Sequence, residues 1–460
     1  MTTPAAGTGT PDSATMRRVA IASGVGTTIE FYDFLIYGTA AALVFPTVFF
    51  PVLGATAGTV ASFATFAVAF IARPLGAIFF GHFGDRLGRK RTLVATLVLM
   101  GVSTMLIGLL PGSATIGVAA PIALVVLRFA QGFAVGGEWT GAVLLTAEYA
   151  PPGKRGFYAV FPQLGAPIAL VLANATFLAT GLVLGDTDQA FLDYGWRIPF
   201  LVSAVLVGVG LYVRLNIEET PAFVRARSQR EASAQLGTAP LVSAIRSQAR
   251  TILLGGGTGI ALFAFFYIGT AYLTSYGASA SGVGLSRQTV LAMGIASGIA
   301  FGTMTVVSGR LSDRIGRRRL VIASCAAAAV WALVLFPLLG VGTGWAFGIG
   351  LVVTLAIVGV QHGPMGAMFP ELFETRHRYS GAGAAYNLAA ILGGTVPPMI
   401  AAPLAVTFGP MAVGIMLAAL ALVSVVCARM LPETHLTDMA PTLAPAPAAA
   451  RPAVGSGGVA

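Results

Sequence analysis

Charge is scarce in this chain. Only 10% of its 460 residues are Asp, Glu, Lys or Arg, whereas soluble domains carry about a quarter. The 17 acids are outnumbered by 27 lysines and arginines, and there are four histidines and two cysteines. Cys325 and Cys427 both fall in apolar segments without metal-ligand spacing, which argues against a disulfide framework or thiolate metal site and predicts buried, unpaired thiols. The apolar runs lack strand-like alternation, so a transmembrane barrel is excluded as well. No Ser-His-Asp set, metal cluster or phosphate-binding glycine loop opening a soluble helix is found, and neither an enzyme nor a cofactor is expected.

What the chain has in abundance is apolar surface: 56% of residues are hydrophobic and the mean hydropathy is +0.84. Runs of about 20 such residues match the ~30 Å hydrocarbon thickness of a bilayer, where backbone groups must be satisfied within their own helix. Glycine, proline and charge divide the chain into about twelve spans, near 19–47, 58–81, 92–111, 118–145, 157–183, 197–215, 251–277, 288–309, 320–340, 344–369, 381–407 and 410–430. Arg17 and Arg18 precede the first run, which is too long for a cleavable signal and reads as a span.

The net charge of +10 does not point to nucleic acid, because the basic residues sit in short clusters between spans. Arg73 and Arg128 lie inside spans, and Arg197 and Arg287 fall on the outer side. The other basic residues precede the first span or occupy alternate loops and the tail, which places both termini in the cytoplasm of a plasma (inner) membrane. Five regions follow: a disordered N-terminus over 1–18, a six-helix bundle over 19–215, a polar connector over 216–250, a second bundle over 251–430, and a mostly disordered tail over 431–460.

One phrase is written twice. "GHFGDRLGRKR" at 81–91 returns as "GRLSDRIGRRR" at 309–319, each between the second and third spans of its half. After each fourth span an acid precedes an arginine by seven residues, Glu148 before Arg155 and Glu371 before Arg378. "EETP" at 218–221 and "LPET" at 431–434 follow the sixth spans. Three echoes in one order predict an all-α membrane protein, with twelve transmembrane helices in two pseudo-symmetric bundles.

In the repeated loop, glycines Gly81, Gly88 and Gly316 allow tight reversal. Asp85 and Asp313 suit the positive N-terminal end of a helix from the other bundle. Arg86, Arg89, Arg314 and Arg317 can fork onto Glu148 and Glu371. Such contacts form when one face shuts and break when it opens, which makes these residues, with Arg155 and Arg378, a candidate cytoplasmic gate. Lys90, Arg91, Arg318 and Arg319 need only hold topology.

Ionisable groups inside spans are costly without a partner or water. Glu30 and Asp33 share a face of the first helix, with Glu30 roughly 17 Å from its cytoplasmic end. Arg73, Arg128, Gln131 and Glu138 complete the polar set of the first half. These charges either neutralise one another structurally, or a carboxylate solute competes for an arginine while an acid takes a proton. On the second reading Glu30 and Asp33 carry protons, Glu138 is a proton exit or an inter-helix brace, and Arg73, Arg128 and Gln131 bind solute. The second half offers neutral candidates: Tyr267 on span seven, with Tyr272 and Tyr276 beyond it, and Gln361, His362, Tyr386 and Asn387 on spans ten and eleven.

The twin loops resemble those of the major facilitator superfamily. "IEFYDFLIYG", "ARPLGAIFFGHFGDRLGRKR", "RFAQGFAVGGEW" and "RYSGAGAAYNLAAILGG" are similar to its metabolite:proton symporter branch. The first half looks most like shikimate permeases, and proline/betaine, citrate and 2-oxoglutarate permeases share much of the pattern. The resemblance implies a major facilitator fold and alternating access coupled to protons; a small-molecule substrate, protons and the lipid bilayer are the expected partners, and a monomer the expected working unit. It also implies that the loop motifs stabilise an outward-open state. Proton-coupled uptake of a small organic acid or zwitterion is the expected function. Export by proton antiport and a sensor without net transport stand as alternatives.

Overall fold

Long apolar runs that cannot leave backbone groups unpaired in lipid become long helices. In a computed structural model the described residues are 13–87, 89–136, 143–144, 146–147, 150–151, 153–184, 188–216, 240–374 and 377–436; within them, side chains are left undescribed at 13–20, 22, 78, 81–91, 93, 188, 213–216 and 240–243. The first half contains α1 (Ser13–Leu43), α2 (Gly54–Leu87), α3 (Arg89–Leu109), α4 (Ala119–Val135), α5 (Arg155–Gln163 continuing into Gly165–Leu184) and α6 (Ile198–Asn216). The second contains α7 (Pro240–Tyr267 continuing to Ala278), α8 (Arg287–Ile315), α9 (Arg317–Leu339), α10 (Gly344–Glu371), α11 (Arg378–Gly394 continuing into Val396–Phe408) and α12 (Pro410–Met430).

Among the described residues, nine spans are long and apolar enough to cross a membrane. Shorter apolar segments, Val94–Leu109 and Ala119–Val135, together with α1 complete twelve helices. Large apolar side chains such as Val183, Val205 and Val330 point outward, as a lipid-facing surface requires. The chain is therefore an all-α, multi-pass integral membrane protein.

Helix pairing repeats between the halves. In the first, α1 packs on α5, α2 on α4 and α3 on α6; in the second, α7 packs on α11, α8 on α10 and α9 on α12. Each pair in one half is the counterpart of a pair in the other, shifted by six helices. Between halves, α5 packs on α8 and α10, and α2 packs on α11.

Several helices contain prolines or local departures from the i to i−4 ladder. Pro162 lies inside α5 and Pro364 and Pro370 inside α10. In α7, which begins within the region read as the connector, Gln248 has φ −130° and ψ 27°, a bend in the helix. A π-helical turn at Ile268–Tyr272 follows directly after Tyr267. Such turns widen the helix and commonly mark functional positions.

Candidate functional site

Arg73 and Arg128 are brought together by the crossing of α2 and α4. A Cβ on Gly76 would lie 1.8 Å from the Phe133 carbonyl oxygen, and one on Gly132 would lie 2.4 Å from that of Ala69. No side chain fits either place, so the backbones meet. Both guanidinium groups then lie over one ring, Arg73 4.2 Å and Arg128 4.1 Å from the centroid of Phe34. Arg128 is also 3.9 Å from Tyr37 and 4.7 Å from Phe66, and Arg73 is 4.9 Å from Phe70. Aromatic faces thus hold two buried cations that repel one another.

Arg128 donates from Nη1 to Gln131 Oε1. This contact fixes the amide orientation, since a guanidinium has no acceptor. Gln131 Nε2 therefore donates to Thr104 Oγ1 at 2.8 Å, and Thr104 donates to Asp33 Oδ2 at 2.8 Å. Ser203 on α6 donates to the other oxygen, Oδ1. Asp33 and Arg128, both fully buried, are consequently joined through an amide and a hydroxyl rather than as a contact ion pair. The Nε and Nη2 groups of Arg128 and Nε of Arg73 are buried with no hydrogen-bond acceptor among the described residues, an expensive arrangement.

Glu30, one turn before Asp33, looks toward the other half. It is buried and lies within electrostatic reach of Tyr267 and Tyr386, as does Arg73. Phe66 and Phe70 meet Tyr267 at 5.2 and 5.3 Å, while Phe263 stacks on Tyr267 and meets Tyr386 at 5.1 Å. An aromatic wall thus runs across the two halves beside the four charges.

The remaining second-half candidates hold other partners. Gln361 Nε2 donates to the Thr258 carbonyl at 2.9 Å, and Asn387 Nδ2 to that of Gly383, four residues back. The His362 ring packs 5.1 Å from Phe301, while its carbonyl accepts from Gln163 Nε2 of the first half at 2.8 Å. Tyr272 and Tyr276 stack on each other at 6.0 Å toward the end of α7.

The face bearing the second basic loop is closed by contacts between halves. Asp313 accepts from the backbone N–H groups of Gly156 and Phe157, at 2.8 and 2.9 Å, and so caps the positive start of α5. Arg317 pairs with Asp313 at 2.8 Å and Glu371 at 3.3 Å, with Arg155 in electrostatic reach of Glu371. Arg318 donates to the Arg429 carbonyl.

Thr434 donates to Glu371 at 2.7 Å, and Glu433 accepts from the backbone N–H of Arg317 at 2.8 Å. Partial burial would raise the Glu433 carboxyl, but backbone N–H donors from Arg317, Thr434, Arg318 and His435 outweigh it and hold the group below its ordinary range. Arg378 is buried at the start of α11, while Arg314 lies in the last turn of α8. Gly88, Glu138 and Glu148 lie outside the described residues, as do the side chains at Asp85, Arg86 and Arg89 and the surroundings of Gly81.

Sequence reading missed Thr104, Ser203, Phe34, Tyr37, Phe66 and Phe70. Hydroxyls and aromatics are common in apolar helices, and the available signal was only that a buried acid and two buried arginines each require partners.

The Major Facilitator Superfamily profile matches residues 26–395 and 284–454. The chain is 48% identical over 422 residues, 91% of its length and 94% of the relative's, to the inner membrane metabolite transport protein YhjE of Escherichia coli (strain K12). It is 40% identical to the shikimate transporter of that organism, over 86% of this chain and 91% of the relative. To its proline/betaine transporter it is 36% identical, over 85% and 78%. Among solved structures, a D-xylose-proton symporter shares the fold with a TM-score of 0.70 at 19% identity, covering 91% of this chain and 98% of that one. With its paired bundles, twin loops and these relatives, the chain belongs to the Major Facilitator Superfamily and is a membrane transporter.

Proposed function

We propose that the protein imports a small carboxylate-bearing metabolite together with a proton, in a plasma (inner) membrane with both termini in the cytoplasm. The observation that carries this reading is the chain from Arg128 through Gln131 and Thr104 to Asp33, beside Arg128 N–H groups that have no acceptor among the described residues. A carboxylate solute supplies the missing bidentate acceptor. A proton on Asp33 removes the negative charge that competes for Arg128, so each event favours the other. Glu30 is placed to face the cationic end of a zwitterion, with the phenols of Tyr267 and Tyr386 across from it. Glu30 thus favours an amino-acid or betaine-like solute as the second reading within this class. The names of the shikimate and proline/betaine relatives fit both readings.

The α8–α9 loop carrying Asp313 and Arg317, with Glu371 at the end of α10, acts as the cytoplasmic gate, closed while Asp313 caps α5. Contacts at this face and the aromatic wall across the halves both persist here, which suits an occluded stage of alternating access.

The test is uptake into proteoliposomes of a radiolabelled panel comprising shikimate, 2-oxoglutarate, citrate, proline and glycine betaine, with an acid-outside gradient. At least one solute should accumulate, and a protonophore should collapse the accumulation. Accumulation that instead requires an acid interior would assign the protein to antiport export.

A further inference from the structure

Thr104 sits at a junction of the polar chain where one hydrogen serves two acceptors. Its Oγ1 lies 2.8 Å from Asp33 Oδ2 and 2.9 Å from the Met100 carbonyl, four residues back on α3. A hydroxyl has one hydrogen and two lone pairs, so it donates to one of these at a time. The same oxygen accepts from Gln131 Nε2 at 2.8 Å, which leaves one lone pair open. Thr104 is fully buried, and the Met100 carbonyl is the second acceptor within reach of its hydroxyl. The titratable and charged groups facing Asp33 are Arg128 from α4 and Tyr32 from its own helix, with Ser203 from α6 and Thr104 from α3 as its hydrogen-bond donors.

Resting on the reading of Asp33 as the proton carrier, we propose that Thr104 is a positioning residue whose hydroxyl rotation lets Asp33 Oδ2 gain or lose a proton without repacking. With Asp33 ionised, the Thr104 hydrogen points to Oδ2. When a proton arrives on Oδ2, the new O–H donates to the open lone pair of Thr104, and the threonine hydrogen turns to the Met100 carbonyl. No bond within the threonine breaks, and every donor keeps an acceptor in both states. On release the proton leaves Oδ2 and the hydroxyl turns back. Gln131 keeps its bond to Thr104 throughout, so the amide stays in place against Arg128 while the charge opposite it changes. The positioning role thus ties the proton to the guanidinium that takes the solute. Oδ1, held by Ser203, has no corresponding second arrangement in this structure, which assigns the proton to Oδ2.

The test uses the purified full chain in lipid and needs no solute. Infrared difference spectra between acid and neutral pH should contain a protonated-carboxyl band that Asp33→Asn removes. Thr104→Val, which keeps the shape and removes the hydroxyl, should shift this band to higher frequency, and Thr104→Ser should restore it. If the Asp33 band exists but is unmoved in Thr104→Val, or if Thr104→Ser behaves like Thr104→Val, the rotor is wrong and Asp33 stands as the carrier. If no band disappears in Asp33→Asn, Asp33 does not change protonation, and both the carrier assignment and this inference fall. A Thr104→Val chain that does not fold leaves Thr104→Ser to decide: its band must coincide with that of the natural chain, and a shifted band overturns the proposal.

Discussion

Arg128 keeps its charge at the centre of a membrane protein with three aromatic faces and one amide, rather than with a touching carboxylate. That choice matters chemically, because a contact ion pair would satisfy the guanidinium and leave little for a solute to gain. Only the planar guanidinium both stacks on rings and presents a forked N–H edge. Arg128→Lys should therefore lower uptake by roughly tenfold or more, as the loss of a charged hydrogen bond worth about 1.5–3 kcal/mol implies, with unchanged expression and elution on size exclusion. Uptake within twofold of the natural protein would remove Arg128 from the site. The positions of Glu30, Asp33, Arg73 and Arg128 were legible because charge in an apolar span stands out. Their partners were not. Thr104 and Ser203 are ordinary residues of α3 and α6 until Asp33 on α1 is placed between those helices. Gln361 and Asn387 look like solute ligands in sequence, yet their amides answer carbonyls of α7 and α11, a local need that spacing alone does not reveal.

At the scale of helices, glycine decides which pairs approach. Gly76 and Gly132 permit the α2–α4 crossing that sets two cations over Phe34, and no apolar count foretells which helix lies opposite. Helix existence was legible from run length, and the helical start of α7 within the polar connector was not. The π turn after Tyr267 also left no sequence mark, since Ile268–Tyr272 contains no proline. At the end of α12, Glu433 grips the start of α9 through the Arg317 N–H. At Gly316, with φ 101°, a Cβ would lie 2.4 Å from Glu433 Oε2, so glycine both adopts the turn and admits the carboxylate.

The Glu433 carboxyl is held below its ordinary value of 4.5. Its stabilisation is present above that value and is lost as pH falls through the depressed one. Melting curves should show the natural protein more stable than Glu433→Gln at neutral pH, with the gap narrowing on acidification. A gap that stays constant into the acid range would contradict the cap.

At the scale of the molecule, the three sequence echoes and the three matched helix pairs describe one bundle used twice. One apolar core runs through both halves, which also meet through Asp313 on the start of α5 at one face and through the aromatic wall nearer the centre. The centre is asymmetric: the first half brings Glu30, Asp33, Arg73 and Arg128, and the second answers with phenols and aromatic rings. That division was readable in sequence because the second half places no acid, Lys or Arg deep in α7, α8, α10 or α11. Which neutral groups reach the charges depended on the rotation of each helix; Tyr267 and Tyr386 do so through the aromatic wall. The central claim is that Asp33 exchanges a proton in step with carboxylate binding at Arg128. It is tested most directly by comparing accumulation with exchange in proteoliposomes carrying Asp33→Asn. The account predicts loss of gradient-driven accumulation by a factor on the order of the 5- to 150-fold typical of coupled sites, with solute counterflow retained; accumulation equal to that of the natural protein would contradict it.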